Sequence, residues 1–216
     1  AALRRAMERR GGRFQPGAAE LLAEAGRVGS VRVGAEIWAA DCVVLAAGAW
    51  APALLAPLGI ALAVAPQRGQ ITHLRLEGAR TDAWPIVLPP GSHYLLAFEA
   101  GRVVVGATRE TGSGFDLRVT AGGQAEVLNQ ALTIAPGLAP ATLLETRVGF
   151  RPVGPDIRPM LGRSALGGLV IGNGLGPTGL TMGPYAGRLL AQLALGGEPE
   201  MGLSPYDPGR TEAGTE

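Results

Sequence analysis

The sequence predicts a mixed α/β fold in which an α/β unit is interrupted by an antiparallel insertion, and three observations predict it. Near both ends of the chain, in residues 42–58 and 168–195, a short apolar run breaks into a glycine turn and then a helical pattern. Between Pro66 and Thr120 the pattern changes to two-residue alternation with tight turns, the mark of hairpins. The chain of 216 residues, 47% hydrophobic and 17% charged, is long enough to bury a real core.

The elements follow in order. Leu3 to Arg10 combines helix formers with Leu3, Ala6 and Met7 on one side, and Gly11-Gly12 stops it. Val31 to Val33 and Glu36 to Trp38 read as short strands across a turn at Gly34. A buried strand is expected from Cys42 to Ala46, a turn from Ala47 to Trp50 and a short packed helix from Pro52 to Leu58. No charge occurs from Cys42 to Gln67, a length that would cross a membrane, but Pro52, Pro57 and Pro66 with Gly48 and Gly59 would break such a helix repeatedly. Gln70 to Leu76 alternates, and His93 to Phe98 pairs with Arg102 to Gly106 across Glu99-Ala100-Gly101. Val127, Leu128, Ala131, Leu132 and Ile134 form one helical face in Ala125 to Ile134, ended by Pro136-Gly137. A strand from Leu143 to Phe150, a turn at Arg151-Pro152, a strand from Leu169 to Ile171 and a closing helix to Leu195 complete the chain. The first and last segments are expected to share one sheet, with domain boundaries at 1–65, 66–148 and 149–216.

Composition excludes several chemistries. All 19 cationic residues are Arg, because the chain has no Lys, and the net charge is only +1. A nucleic-acid surface therefore has little support, and a P-loop lysine or a Schiff-base lysine has no amine to use. Cys42, His73 and His93 are too few for a structural zinc site, and no metal is expected. Cys42 reads as a buried strand thiol, and Trp50, His73 and His93 as structural.

Gly174-Leu175-Gly176-Pro177-Thr178-Gly179 matches G-x-G-x-x-G between a strand and a helix. A dinucleotide fingerprint needs a second parallel strand after the helix, and beyond Leu195 the chain offers only Gly196-Gly197-Glu198-Pro199-Glu200 and a polar tail. A nicotinamide dehydrogenase built on this motif fails on that missing strand. The turn reads instead as a helix N-terminus whose free N–H groups and dipole can cradle an anion or a cofactor. A tight strand-to-helix turn without a ligand is the plain alternative.

Five stretches in order together resemble the D-amino-acid-oxidase-like family of FAD-dependent amine and amino-acid oxidoreductases, which includes glycine oxidase and the D-amino acid dehydrogenases. They are Asp41 to Trp50; Pro66-Gln67-Arg68-Gly69-Gln70; Tyr94 with Gly101 to Thr108; Gly149-Phe150-Arg151-Pro152 with Pro155-Asp156, Pro159 and Gly162; and the terminal glycine turn. They cover nearly the whole chain. The resemblance implies an incomplete doubly wound FAD-binding domain with an inserted antiparallel-sheet substrate domain. It also implies FAD as cofactor, with Ala46, Ala47 and Gly48 near its phosphates, and Gly174, Leu175, Gly176, Pro177, Thr178, Gly179, Leu180 and Thr181 against its flavin ring. Tight helix-to-sheet packing is an equal reading of Ala46 to Gly48. Relatives often carry His and Arg in the terminal loop where this chain has Leu175 and Pro177, which leaves the substrate range open.

The resemblance further implies that Arg151 holds a substrate carboxylate and that Tyr94 closes the pocket or touches that carboxylate. A structural Arg151–Asp156 pair, and a Tyr94 used only for packing, are the alternatives. No catalytic side chain is implied, because hydride transfer from a neutral amine needs no dedicated base. The expected activity is oxidation of an amino acid or secondary amine to an imine by hydride transfer to flavin, with Arg151 and the glycine turn facing one cavity. A non-catalytic substrate-binding or oligomerising remnant without flavin is the alternative. Oxygen or a membrane quinone as electron acceptor, a homo-oligomer, and a cytoplasmic or membrane-associated location all fit the resemblance. The family begins with a strand, a G-x-G-x-x-G turn and a helix, and none of these precedes Ala46. The expectation is thus a fragment that does not hold FAD tightly alone.

Overall fold

The computed structural model describes residues 2–210, and the chain divides into two compact units. One takes the chain up to Val64 and again from Gly154; the other is Ala65–Val153.

The first unit opens with helix α1 (Ala2–Glu8) and a three-stranded antiparallel meander of β1 (Ala19–Glu24), β2 (Arg27–Val33) and β3 (Glu36–Ala39). Only fragments of this meander were legible. β1 has no clean alternation, and both of its faces are largely exposed or half-buried, so no apolar period marks it. Strand β4 (Val43–Leu45) follows, then a 3₁₀ turn at Gly48–Trp50 and helix α2 (Ala51–Leu55) with a 3₁₀ extension at Ala56–Leu58. Cys42, expected inside this strand, lies one residue before it and is half-buried.

The second unit is a five-stranded sheet with one helix. Its centre is β5 (Ala65–Arg75), flanked along one edge by β7 (Arg102–Gly106) and then the short β8 (Glu110–Thr111), with β6 (Tyr94–Ala97) outside β7. Helix α3 (Ala121–Ile134) covers one face, and β9 (Thr142–Val153) pairs with β5 along its whole length.

Two features differ from expectation. Arg151-Pro152 is not a turn: β9 runs through it, and Pro152 stands opposite Pro66. Neither proline has an N–H, so the two can face each other only where an antiparallel ladder needs no bond. Helix α3 begins four residues before Ala125, because the Thr120 hydroxyl accepts the Gly123 N–H at 3.1 Å and caps it.

On the α3 side, Leu74, Leu95, Val103 and Val105 pack against Val127, Ala131 and Leu138. Burying each such side chain contributes about 2 kcal/mol. Beside this core Thr72, Gln124 and Thr146 bond one another, tying the helix to β5 and β9.

The chain then returns to the first unit with β10 (Met160–Arg163), β11 (Leu169–Asn173) and α4 (Gly179–Ala194). β11 pairs antiparallel with β10 and parallel with β4, placing Ile171 beside Leu45. Alternation splits the burial. Leu169 and Ile171 join Leu45, Leu55 and Met160, while Val170 meets Leu189, Leu190 and Leu193 of α4. Gly172 allows the helix this close, since a Cβ there would lie 2.3 Å from Leu190 Cδ1. Asp156, bonded by Arg210 and Arg158, has its carboxyl held down at about 2.

Gly123 in α3 admits the Gln70 amide, whose Nε2 would sit 2.1 Å from an added Cβ. Gly123→Ala is expected to destabilise the fold by about 2 kcal/mol, read as a lower urea midpoint at unchanged slope.

Candidate functional site

The residues singled out in the sequence fall in both units. In the first unit the ends of β4 and β11 are joined by one buried side chain. Asn173, only 2% exposed, donates from Nδ2 to the Gly48 carbonyl at 2.9 Å and accepts the Gly174 N–H on Oδ1 at 2.8 Å. Gly48, Gly174 and Gly176 all adopt positive φ (56°, 66° and 50°), so the chain can leave each strand sharply at these points. Ala46 is exposed, and Ala47 and Gly48 are half-buried.

After β11 a 3₁₀ turn at Gly176–Thr178 leads into α4, which starts with no side-chain cap and no acidic residue in its first turn. Its positive end is left unneutralised. The Thr178 hydroxyl turns back to the Leu175 carbonyl at 2.8 Å instead of capping. Leu180 is 98% exposed, and a side chain at Gly176 would meet nothing within 4 Å, so there is room above this part of the bend. Pro184 inside α4 removes the N–H that would bond the Leu180 carbonyl. Beyond α4 the described residues hold no further strand.

In the second unit the structure brings Arg151 and Tyr94 onto one sheet face, the one away from α3. The register gives this directly: Arg151 lies opposite Gln67, Gly149 opposite Gly69, Gly106 opposite Ile71, and Tyr94 opposite Gly106. Residues two apart on a strand share a face, so the set is continuous. Each of these two side chains rests on a glycine. A Cβ on Gly69 would lie 2.6 Å from Arg151 Nη1, and one on Gly106 would lie 3.1 Å from the Tyr94 hydroxyl. A groove of about 400 Å³ opens here, lined in part by Gly69, Ile71, Arg147, Gly149 and Arg151.

Arg151 is half-buried and has no carboxylate partner among the described residues; its Nη1 donates to the Thr108 carbonyl at 3.0 Å. Burial lowers its pKa, opposed by Tyr94 and reinforced by Arg109. Burial raises that of Tyr94, opposed by the Arg151 cation. Asp156 takes its ion pairs from Arg158 and Arg210.

On the α3 side lies a polar cluster that the sequence did not reveal. Arg68, 6% exposed, donates from Nε to Glu110 Oε2 at 2.9 Å and pairs with Asp116 Oδ2 at 2.8 Å. Glu110 Oε1 accepts from Gln70 Nε2 at 2.7 Å and from the Thr108 hydroxyl at 2.6 Å. Burial alone would raise the Glu110 carboxyl, but the bonds from Arg68, Thr108 and Gln70 outweigh it and hold it below the usual carboxylate range. The readable signal was a charge within an apolar strand pattern at Arg68, which demands a buried partner. His73 is 4% exposed and accepts from Arg102 Nε on Nδ1 at 3.1 Å. Burial and Arg102 lower its pKa. Among the described residues no group of His, Cys, Asp and Glu could hold a metal, and no helix is long and apolar enough to cross a membrane.

The sequence profile of the FAD dependent oxidoreductase (DAO) family matches residues 1–193. The chain belongs to that family. It is 51% identical over 205 residues to the uncharacterized oxidoreductase YurR of Bacillus subtilis, covering 94% of this chain and 55% of that protein. To a glycine oxidase of Pseudomonas aeruginosa it is 35% identical over 169 residues, covering 78% of this chain and 45% of the relative. The crystal structure of an iminodiacetate oxidase from Chelativorans sp. BNC1 superposes with a TM-score of 0.90 at 51% identity, covering 97% of this chain and 57% of that one. The chain thus spans about half the length of the proteins it matches.

The first-unit bend fits the family's cofactor, because it offers an uncapped helix end with no acidic residue in its first turn and an exposed stretch at Pro177, Thr178 and Leu180. Asn173→Ala removes the donor to Gly48 and the acceptor of Gly174. It is expected to cost about 2 kcal/mol, measured by urea unfolding against the unaltered chain.

Proposed function

We propose that the protein oxidises an amino acid or secondary amine carrying a carboxylate to an imine, with FAD accepting the hydride. The observation that carries this reading is Arg151, a half-buried guanidinium with no carboxylate partner among the described residues, set over a glycine beside a tyrosine. A cation held partly out of water is costly unless an anion meets it. The carboxylate of a small substrate supplies that anion.

A guanidinium fork fixes both the distance and the plane of the carboxylate it holds, and thereby the direction of the neighbouring C–H bond. Arg151 therefore binds and orients. The Tyr94 hydroxyl, polarised by the adjacent cation, offers a further donor from the same face. Gly69 lets the guanidinium lie against the sheet, and Gly149 opposite it leaves the neighbouring floor open, so the substrate can approach the sheet beside Arg151. Neither side chain needs to move a proton, and neither is assigned a catalytic role.

In the first unit, residues 46–48 and 174–181 would hold the cofactor. The bare N-terminus of α4 would favour negative charge beside it. When bound, FAD supplies a two-electron acceptor for the hydride. Water then hydrolyses the free imine to a carbonyl compound and an amine or ammonia. Likeness to an iminodiacetate oxidase over 97% of the chain favours a secondary amine with acetate arms as substrate.

In the flavin-loaded protein, iminodiacetate is expected to give a higher kcat/KM than glycine or D-alanine, with hydrogen peroxide or reduced quinone measured to identify the acceptor. Arg151→Ala should lower kcat/KM roughly ten- to hundredfold, the value of a lost charged hydrogen-bond pair, while flavin content stays unchanged. An unaltered KM in that variant removes the assignment.

A further inference from the structure

Arg151 is aimed by very little. Its stem leaves β9 opposite Gln67, its head lies over Gly69, and its hydrogen bond goes to the Thr108 carbonyl. Thr108 falls in the link between β7 and β8, where no strand ladder fixes it. It is nonetheless wholly buried, and each of its polar groups is engaged. Its N–H donates to the Gln70 carbonyl at 3.3 Å, its hydroxyl accepts the Gln70 N–H at 3.0 Å, and that hydroxyl donates to Glu110 Oε1 at 2.6 Å.

Glu110 in turn receives only donors. Gln70 and Thr108 meet Oε1, and two nitrogens of Arg68 meet Oε2. Gln70 is itself fixed, with Nε2 donating to the Thr120 hydroxyl at 2.9 Å and Oε1 accepting the Thr120 N–H at 3.0 Å. We infer that Glu110 is a positioning residue for Arg151, setting through Thr108 where the carboxylate-receiving guanidinium points. This role rests on the proposed reading of Arg151 as the carboxylate receptor.

The chemistry of the cluster says which changes matter. A carboxylate suits this place because both of its oxygens accept. Glutamine has one accepting oxygen and one donating amide, so either orientation sets a donor against donors: Arg68 on one side, or Gln70 and Thr108 on the other. Thr108→Val keeps the shape and removes the hydroxyl that donates to Glu110 and accepts the Gln70 N–H. Thr108→Ser restores it.

The test reads Arg151 directly by nitrogen-15 NMR of arginine side chains in the 216-residue chain, with its signal assigned from Arg151→Lys. The unaltered chain and Thr108→Ser should show a restrained guanidinium with resolved Nη signals. Glu110→Gln and Thr108→Val should collapse them to freely rotating averages and raise the Kd for glycine or iminodiacetate about tenfold, the typical effect of losing a supporting hydrogen bond behind a binding group. Identical Arg151 signals in all four proteins, with circular dichroism showing them folded, would overturn the positioning role. If Glu110→Gln does not fold, Thr108→Val makes the same comparison with the Glu110 carboxylate kept in place for Arg68. If neither ligand moves the Arg151 signal of the unaltered chain, the carboxylate reading fails, and the rotation comparison still decides the positioning role.

Discussion

A guanidinium that meets no carboxylate among the described residues is the constraint around which the second unit is arranged. Arg68 and Arg151 come from paired strands and lie on opposite faces of one sheet, yet their surroundings differ in kind. Arg68 is enclosed by Glu110, Asp116 and two backbone carbonyls, and that charge is fully answered within the protein. Arg151 meets a single carbonyl. The first arrangement stabilises a fold; the second stores an unmet demand that a small anion can satisfy. Central β5 serves both through strand alternation, with Arg68 and Gln70 on one face and Gln67, Gly69 and Ile71 on the other.

The first unit solves a different problem by comparable means. A parallel pair of strands ends with both chains turning away, and without a tie the two bends would move independently. Asn173 supplies that tie by bonding the start of each bend while buried itself. Its amide has a donor and an acceptor, and the site needs one of each, which Asp or Leu could not provide. The crevice beyond the carboxyl ends of parallel strands is where open α/β sheets bind their ligands. The positive, uncapped end of α4 begins there.

What the sequence made legible was whatever depends on local pattern. Alternation located β5, β6 and β7, glycine spacing located the bend at 174–179, and apolar periodicity located α3 and α4. β1 and β10 escaped because neither carries an alternating apolar set, and the extension of β9 through Pro152 escaped because proline reads as a turn until its cross-strand partner is also known to be proline. Arg151 and Tyr94 stand out only through the family resemblance, and the register sets them on one face. Gly69, Gly106, Thr108 and Glu110 had no legible role. Their importance lies in pairings some 40 residues or more apart for Thr108 with Arg151 and Arg68 with Glu110, and no local window contains those.

The two units thus use separate devices, a cation over a glycine in one and, in the other, two strand-end bends tied by an asparagine ahead of an uncapped helix. The central claim is that Arg151 awaits a substrate carboxylate. A crystal structure of the flavin-loaded protein with iminodiacetate tests it most directly. The account predicts a ligand carboxylate bonded to the Arg151 guanidinium with the Thr108 contact kept; a ligand bound elsewhere, with Arg151 bonded to Thr108 alone, would contradict it.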